Sequence, residues 1–232
     1  MGTNQKEKRE VLMTPVGIAV YPYLNKPQPA HESQQDKTPS WKVGIKLKRG
    51  DAAADAFLAD LQRRYDENLA EAEANETPKD RAKRLASKRP EMGADLPWKD
   101  EFDEAGQPTG HVVINLKQKC SAVRKSDGEK FDFFVDLFDA KGKRIDRNAV
   151  KIGGGSTICC AFEIGTFATG IGAGLSLRLK AVQVLERVEY QGRDATGYGF
   201  RQQDGFEVDA VRTMDAGDVE EAAGGDQDDG SI

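Results

Sequence analysis

Apolar and polar residues alternate most cleanly near the end of the ordered-looking sequence. Leu175, Leu177, Leu179 and Ala181 fall on one side of the chain, and Ser176, Arg178 and Lys180 on the other. This is the period of a half-buried β-strand with one oily face and one cationic face. After Ala181 the apolar signal moves to Val182 and Val184, a one-residue slip that a bulge or sharp bend produces. The run belongs to a longer stretch, residues 150–188. That stretch opens on three glycines at 153–155, passes through an apolar strand-like segment holding Cys159 and Cys160, and turns on a glycine-rich bend. Strongly bent strands suit a small closed barrel.

The same period predicts strands elsewhere. Residues 16–24 (VGIAVYPYL) read as a first strand with Val16, Ile18 and Val20 inward and Ala19, Tyr21 and Tyr23 on the opposite phase. Pro22 puts the end of that strand at an edge. Residues 25–40, rich in Pro and Gln, read as a loop. In residues 41–48 (WKVGIKLK) Trp41, Val43, Ile45 and Leu47 share one face, and Lys42, Lys46 and Lys48 the other. Residues 112–123 repeat the pattern, with Val112, Ile114, Leu116, Cys120 and Ala122 opposed to Asn115, Lys117 and Lys119. A hairpin at Ser126-Asp127-Gly128 leads to a fourth strand, residues 131–138, with Phe131 and Phe133 in the core. Phe134 and Phe138 share a phase with Asp132 and Asp136, a poor face for phosphate. Residues 139–143 (DAKGK) are a turn.

Between the second and third strands the period changes. Phe57, Leu58, Leu61, Tyr65 and Leu69 recur at helical spacing, which predicts a helix from Ala52 to about Ala74. Thr77-Pro78 interrupts it, a second basic helical piece follows as far as Arg89, and Pro97 and Trp98 lie in a loop. The expected architecture is mainly β: a closed Greek-key barrel at residues 14–189 with a helical insertion at about 51–90. A flexible segment (1–13) precedes it and a disordered tail (190–232) follows it.

Charge sharpens this picture. The net charge is −5, yet from Asp204 onward there are ten acids and one base, which leaves the preceding body at +4. A mildly basic body with a strongly acidic tail suits a nucleic-acid surface with an attached competitor. The N-terminus lacks the apolar stretch of a signal peptide, and no apolar run approaches the roughly 20 residues that span a bilayer. Cys120, Cys159 and Cys160 read as reduced core residues.

Catalytic readings find little support. The two histidines, His31 and His111, have no ligand partner at metal spacing. The glycines at 153–155 lack the following Gly-Lys-Ser/Thr of a phosphate loop, and those at 170, 172 and 174 precede a strand where a dinucleotide site needs a helix. Asp132, Asp136 and Asp139 lack the companions of a metal nuclease. No enzyme, cofactor or metal is expected.

Several segments in order resemble the single-stranded-DNA-binding proteins of T7-like bacteriophages. They are YPYLNKP (21–27), WKVGIKL (41–47), the DAKGK turn followed by IGGGS (152–156), and GIGAGLSLRLKAVQVLERV (170–188). The resemblance implies a five-stranded oligonucleotide-binding (OB) barrel that carries a helix. It implies roles in replication, recombination and repair in the cytoplasm of an infected bacterium. It also implies an acidic tail that competes with DNA for a basic groove and contacts replication proteins such as DNA polymerase and helicase-primase. The tail candidates are Asp215, Asp218, Glu220, Glu221, Asp226, Asp228, Asp229 and Ile232, the last standing where family tails usually end in an aromatic residue.

Single-stranded DNA needs cations for its phosphates and aromatic faces for its unpaired bases. The phosphate candidates are Lys42, Lys46, Lys48, Lys117, Lys119, Arg178 and Lys180, each opposite its strand's apolar face, with Lys26 and Lys151 in family-like segments. The stacking candidates are Tyr21, Tyr23 and Phe167. Trp41 aligns with a family aromatic but shares the apolar phase, so base stacking and a core role both stay open. Alternatives are a replication scaffold with incidental DNA contact and a binder that also grips duplex through the basic segment 79–89. A homodimer is left open.

Overall fold

The computed structural model describes residues 10–32, 36–86, 91–124, 126–169, 172–189, 201 and 203. Contacts divide the chain into a unit ending at Val188 and a second unit from Glu189. The second unit, with every tail candidate, lies almost wholly outside the described residues.

Strand β3 (Ser40–Lys48) is central to the first unit. Trp41, Val43, Ile45 and Leu47 are all buried, as their alternation requires. β3 pairs on one side with β2 (Gly17–Gln28) and on the other with β5 (Pro108–Lys119), both antiparallel. The main sheet runs β4-β5-β3-β2-β9-β10-β8, and β1 (Val11–Met13) is added to β9. Here β4 is Trp98–Phe102, β8 Asp136–Phe138, β9 Thr157–Thr169 and β10 Gly172–Glu186. A separate two-stranded sheet joins β6 (Ser121–Val123) to β7 (Lys130–Asp132). The main sheet curls until β5 and β10 pack together, and their inward residues form one core with helix α1. The fold is mainly β and OB-like.

Helix α1 (Ala52–Ala74) begins where Asp51 caps it, the carboxylate accepting from the N–H groups of Ala53 and Ala54 at 3.0 Å. Leu58, Leu61 and Tyr65 are buried along one stripe, and Phe57 meets Phe162 of β9 edge to face at 5.8 Å. In β10 Leu175, Leu177 and Leu179 are buried, the register shifts between Leu179 and Ala181, and Val182 and Val184 then carry the core. The phase slip in the sequence is a bulge.

Several expectations need correction. The described residues hold ten strands, and five of the ten are nine residues or longer. Residues 11–13, expected to be mobile, are the strand β1. Trp98, expected in a loop, is buried in β4. The first strand faces the other way, since Gly17, Ala19 and Leu24 are inside while Val16 and Ile18 are exposed. Packing explains the reversal: a Cβ on Gly17 would stand 2.6 Å from the Lys46 carbonyl oxygen and 2.7 Å from Leu47. Side chains of β3 already fill that space, so only small residues fit inward there. That strand also runs on to Gln28, into the expected loop. Residues 131–138 are parts of two short strands with Val135 and Leu137 in the core, while Phe133 is exposed and Phe131 half-buried under the Arg124 guanidinium.

Candidate nucleic-acid interface

Register fixes what the outward face of β2, β3 and β5 presents. Tyr23, Lys42 and Lys117 lie opposite one another in a single row across the three strands. Neighbouring strands stand about 4.8 Å apart, so this row spans roughly 10 Å. The next row is Val20, Gly44 and Asn115, and the one after it Ile18, Lys46 and Val113. A Cβ on Gly44 would meet Val113 at 3.0 Å and the Val20 carbonyl at 3.1 Å. The glycine therefore leaves a low floor between the Lys42 and Lys46 side chains.

The lysines differ in electrostatic availability. Lys42, Lys48 and Lys117 form no ion pair among the described residues. Lys46 is held by Glu101 at 3.1 Å. The Glu101 carboxyl sits below its ordinary range because the Thr109 hydroxyl donates to it at 2.7 Å and Lys46 adds a second hydrogen bond. It is thus ionised at neutral pH and offsets Lys46. Lys119 is similarly paired with Asp36, whose carboxyl is pushed down chiefly by that hydrogen bond.

Beside the Tyr23 row, β2 bulges. β2 advances three residues from Val20 to Tyr23 while β3 advances two, and Tyr21 takes a left-handed φ of 45°. It is the one non-glycine residue with positive φ among those described, and its ring is 80% exposed. Such a backbone is unfavourable for a bulky side chain and marks a place to look for function. Two contacts fix the bulge's neighbours. Gly155 N–H donates to the Ala19 carbonyl at 2.9 Å, and Ala19 N–H to the Ser156 carbonyl at 2.8 Å. Gly155 has φ 90°, which suits glycine. Asn25 then ties down residues 147–152, donating to the Arg147 and Val150 carbonyls and accepting from Ile152 N–H at 2.9 Å. Lys26 is exposed and Lys151 half-buried, and both have partners.

Other candidates are placed elsewhere. Six residues of β9, about 20 Å of strand, separate Thr157, opposite Ile18, from Glu163, opposite Arg178. On that distal hairpin the Arg178 guanidinium lies over Gly165, Lys180 pairs with Glu163 at 3.2 Å, and Phe167 covers Gly174 while staying 38% exposed. Arg178, Lys180 and Phe167 thus form a second group rather than part of the tyrosine–lysine row. Trp41, for which the sequence allows either stacking or a core role, is buried. Its indole N–H donates to the Phe133 carbonyl at 2.9 Å, and Arg147 covers its ring. Phe134, discounted in the sequence, is 66% exposed. In the basic segment Arg84 is 7% exposed and bound to Glu76 at 2.9 Å, so it serves the fold rather than a duplex. Lys88 and Arg89 lie outside the described residues.

No cluster of three potential metal ligands occurs among the described residues, nor does any described helix have the length and apolarity to cross a membrane. The cysteines are free, and burial raises the Cys159 and Cys160 thiols. A cavity of about 750 Å³ lined by Tyr65, Glu73, Arg81, Arg84 and Met92 among others shares no residue with the lysine face.

Fold and face together define an OB-like protein with a cationic, aromatic open surface. The family model of the single-stranded DNA-binding protein of bacteriophage T7 matches residues 16–187. The chain belongs to that family. Among solved structures it is similar to gp2.5, a single-stranded DNA binding protein encoded by bacteriophage T7. That match has 20% identity and a TM-score of 0.60, covering 87% of this chain and all of the other. It is also similar to a C-terminal truncation of the single-stranded DNA-binding protein of bacteriophage Enc34. There the identity is 15% and the TM-score 0.50, with 77% and 87% covered. No curated protein matches the chain.

Proposed function

We propose that this chain binds single-stranded DNA along the outward face of β2, β3 and β5, with Lys42 and Lys117 on phosphates and Tyr21 and Tyr23 under bases. One observation carries the reading: the row that sets Tyr23 beside two lysines without acidic partners among the described residues. Phosphate attraction plus base stacking is the minimal chemistry of sequence-tolerant single-strand binding. Lys46, Lys48, Lys119, Lys26 and Lys151 flank the row, and Arg178, Lys180 and Phe167 extend the path onto the β9–β10 hairpin. Membership of the family supports this assignment.

In this reading the protein is a binder without catalysis. It coats and protects single strands during phage replication, recombination and repair in the cytoplasm of the infected cell. Residues 14–189 make up the binding domain. The acidic tail from 190 onward competes for the groove and recruits replication proteins. A duplex grip through residues 79–89 loses support because Arg84 is committed to Glu76.

The test is titration of the full chain, and of one ending at Gln203, with a dT oligonucleotide and with a duplex of equal length at several salt concentrations. Single-strand preference, steep weakening with salt, and tighter binding by the shortened chain are expected. Equal affinity for duplex, or no binding by either chain, would contradict the proposal.

A further inference from the structure

Phe134 is a large apolar side chain left 66% exposed, and what lies beneath it is unusual. The Arg147 guanidinium stands 4.4 Å from the centre of the Trp41 ring and 5.5 Å from that of Phe134. Both distances are within cation–π range. The two rings are 6.4 Å apart and tilted by 44°. Arg147 Nη2 donates to the Val135 carbonyl at 2.6 Å, while Nη1 is buried with no hydrogen-bond partner among the described residues. The guanidinium is thus committed to the two rings and to the Val135 carbonyl, which leaves the exposure of Phe134 to be explained.

The position of the stack supplies a reason. Trp41 immediately precedes Lys42, and Asn25, which holds the Arg147 carbonyl, is two residues past Tyr23. Phe133 N–H donates to the Cys120 carbonyl at 2.6 Å, three residues past Lys117. All three strands of the tyrosine–lysine row therefore lead to this cluster, with the Trp41 ring on the inward face of β3 and Lys42 on the outward one. The acids that share the Phe134 phase are paired, Asp136 with Arg144 at 3.2 Å and Asp132 with Lys130 at 3.8 Å.

We propose that Phe134 is a stacking platform for an unpaired base leaving the Tyr23–Lys42–Lys117 row. Arg147 braces the ring from below through its cation–π contact. The proposal rests on the single-strand reading above. A ring already packed on a guanidinium loses little freedom when a base settles on it, so more of the stacking energy appears as affinity.

The test uses a dT oligonucleotide and one of equal length in which several nucleotides are abasic, with the parent protein, Phe134→Ala and Phe134→Trp. Because Phe134 is mostly exposed, the variants should fold, which unfolding midpoints check. Phe134→Ala is expected to bind the dT oligonucleotide roughly 5- to 100-fold more weakly. Its salt slope should be unchanged, because no phosphate contact is lost, and part of the discrimination against the abasic strand should vanish. Phe134→Trp should restore both. If Phe134→Ala binds and discriminates as the parent does, the platform is overturned while the single-strand reading stands. If the parent binds neither strand, both fall.

Discussion

Replacing Tyr21 and Tyr23 together by alanine is expected to weaken binding of a dT oligonucleotide on the order of a hundredfold or more. Each stacked base is worth about 1–3 kcal/mol by alanine substitution, and about 1.4 kcal/mol is a factor of ten. Both rings are exposed, 80% and 37%, so their removal uncovers no core and should leave the unfolding midpoint nearly unchanged. Alanine at position 21 inherits the left-handed backbone that Tyr21 already occupies, which separates loss of the ring from relief of strain. Titration by intrinsic fluorescence, paired with urea unfolding, checks the result. A drop in stability equal to the drop in affinity would contradict a direct role for the rings.

The largest effect on stability is expected at Phe162. Its side chain is fully buried where β9 meets α1, edge to face with Phe57. Phe162→Ala should cost about 3–5 kcal/mol, from lost transfer energy plus the cavity left behind, out of the roughly 5–15 kcal/mol that holds a typical domain. Urea midpoints at constant m-value measure it. A cost below about 1 kcal/mol would mean that the helix is not packed on the sheet as described. The folded fraction should bind DNA with the parent's salt dependence, because Phe162 is remote in register from Lys42 and Lys117.

These two expectations differ in how far the sequence foretold them. β3, α1 and β10 were legible because their large apolar residues recur at the period of the element; even the slip after Ala181 was visible as a change of phase. β2 was misread because its inward positions are small. Gly17 faces a surface already filled by Ile45 and Leu47, and Ala19 beyond it is small and buried, so the bulkier Val16 and Ile18 point out and invert the apparent signal. Position along the chain also hid which lysines are available. Lys42 and Lys46 look equivalent in WKVGIKLK, yet Glu101 reaches Lys46 from a strand whose existence was not foreseen. Trp41 shows the same limit from the other side: its phase allowed a core role, but only tertiary packing shows Arg147 over its ring.

The measurement that tests the central claim most directly is the salt dependence of dT oligonucleotide affinity for the parent and for a Lys42→Ala, Lys117→Ala double variant. Each lost phosphate contact on a single strand reduces the slope of log affinity against log salt by about 0.7, so the double variant should bind more weakly with a slope shallower by about 1.4. Unchanged affinity and slope would show that the DNA runs elsewhere and that the tyrosine–lysine row is not the binding face.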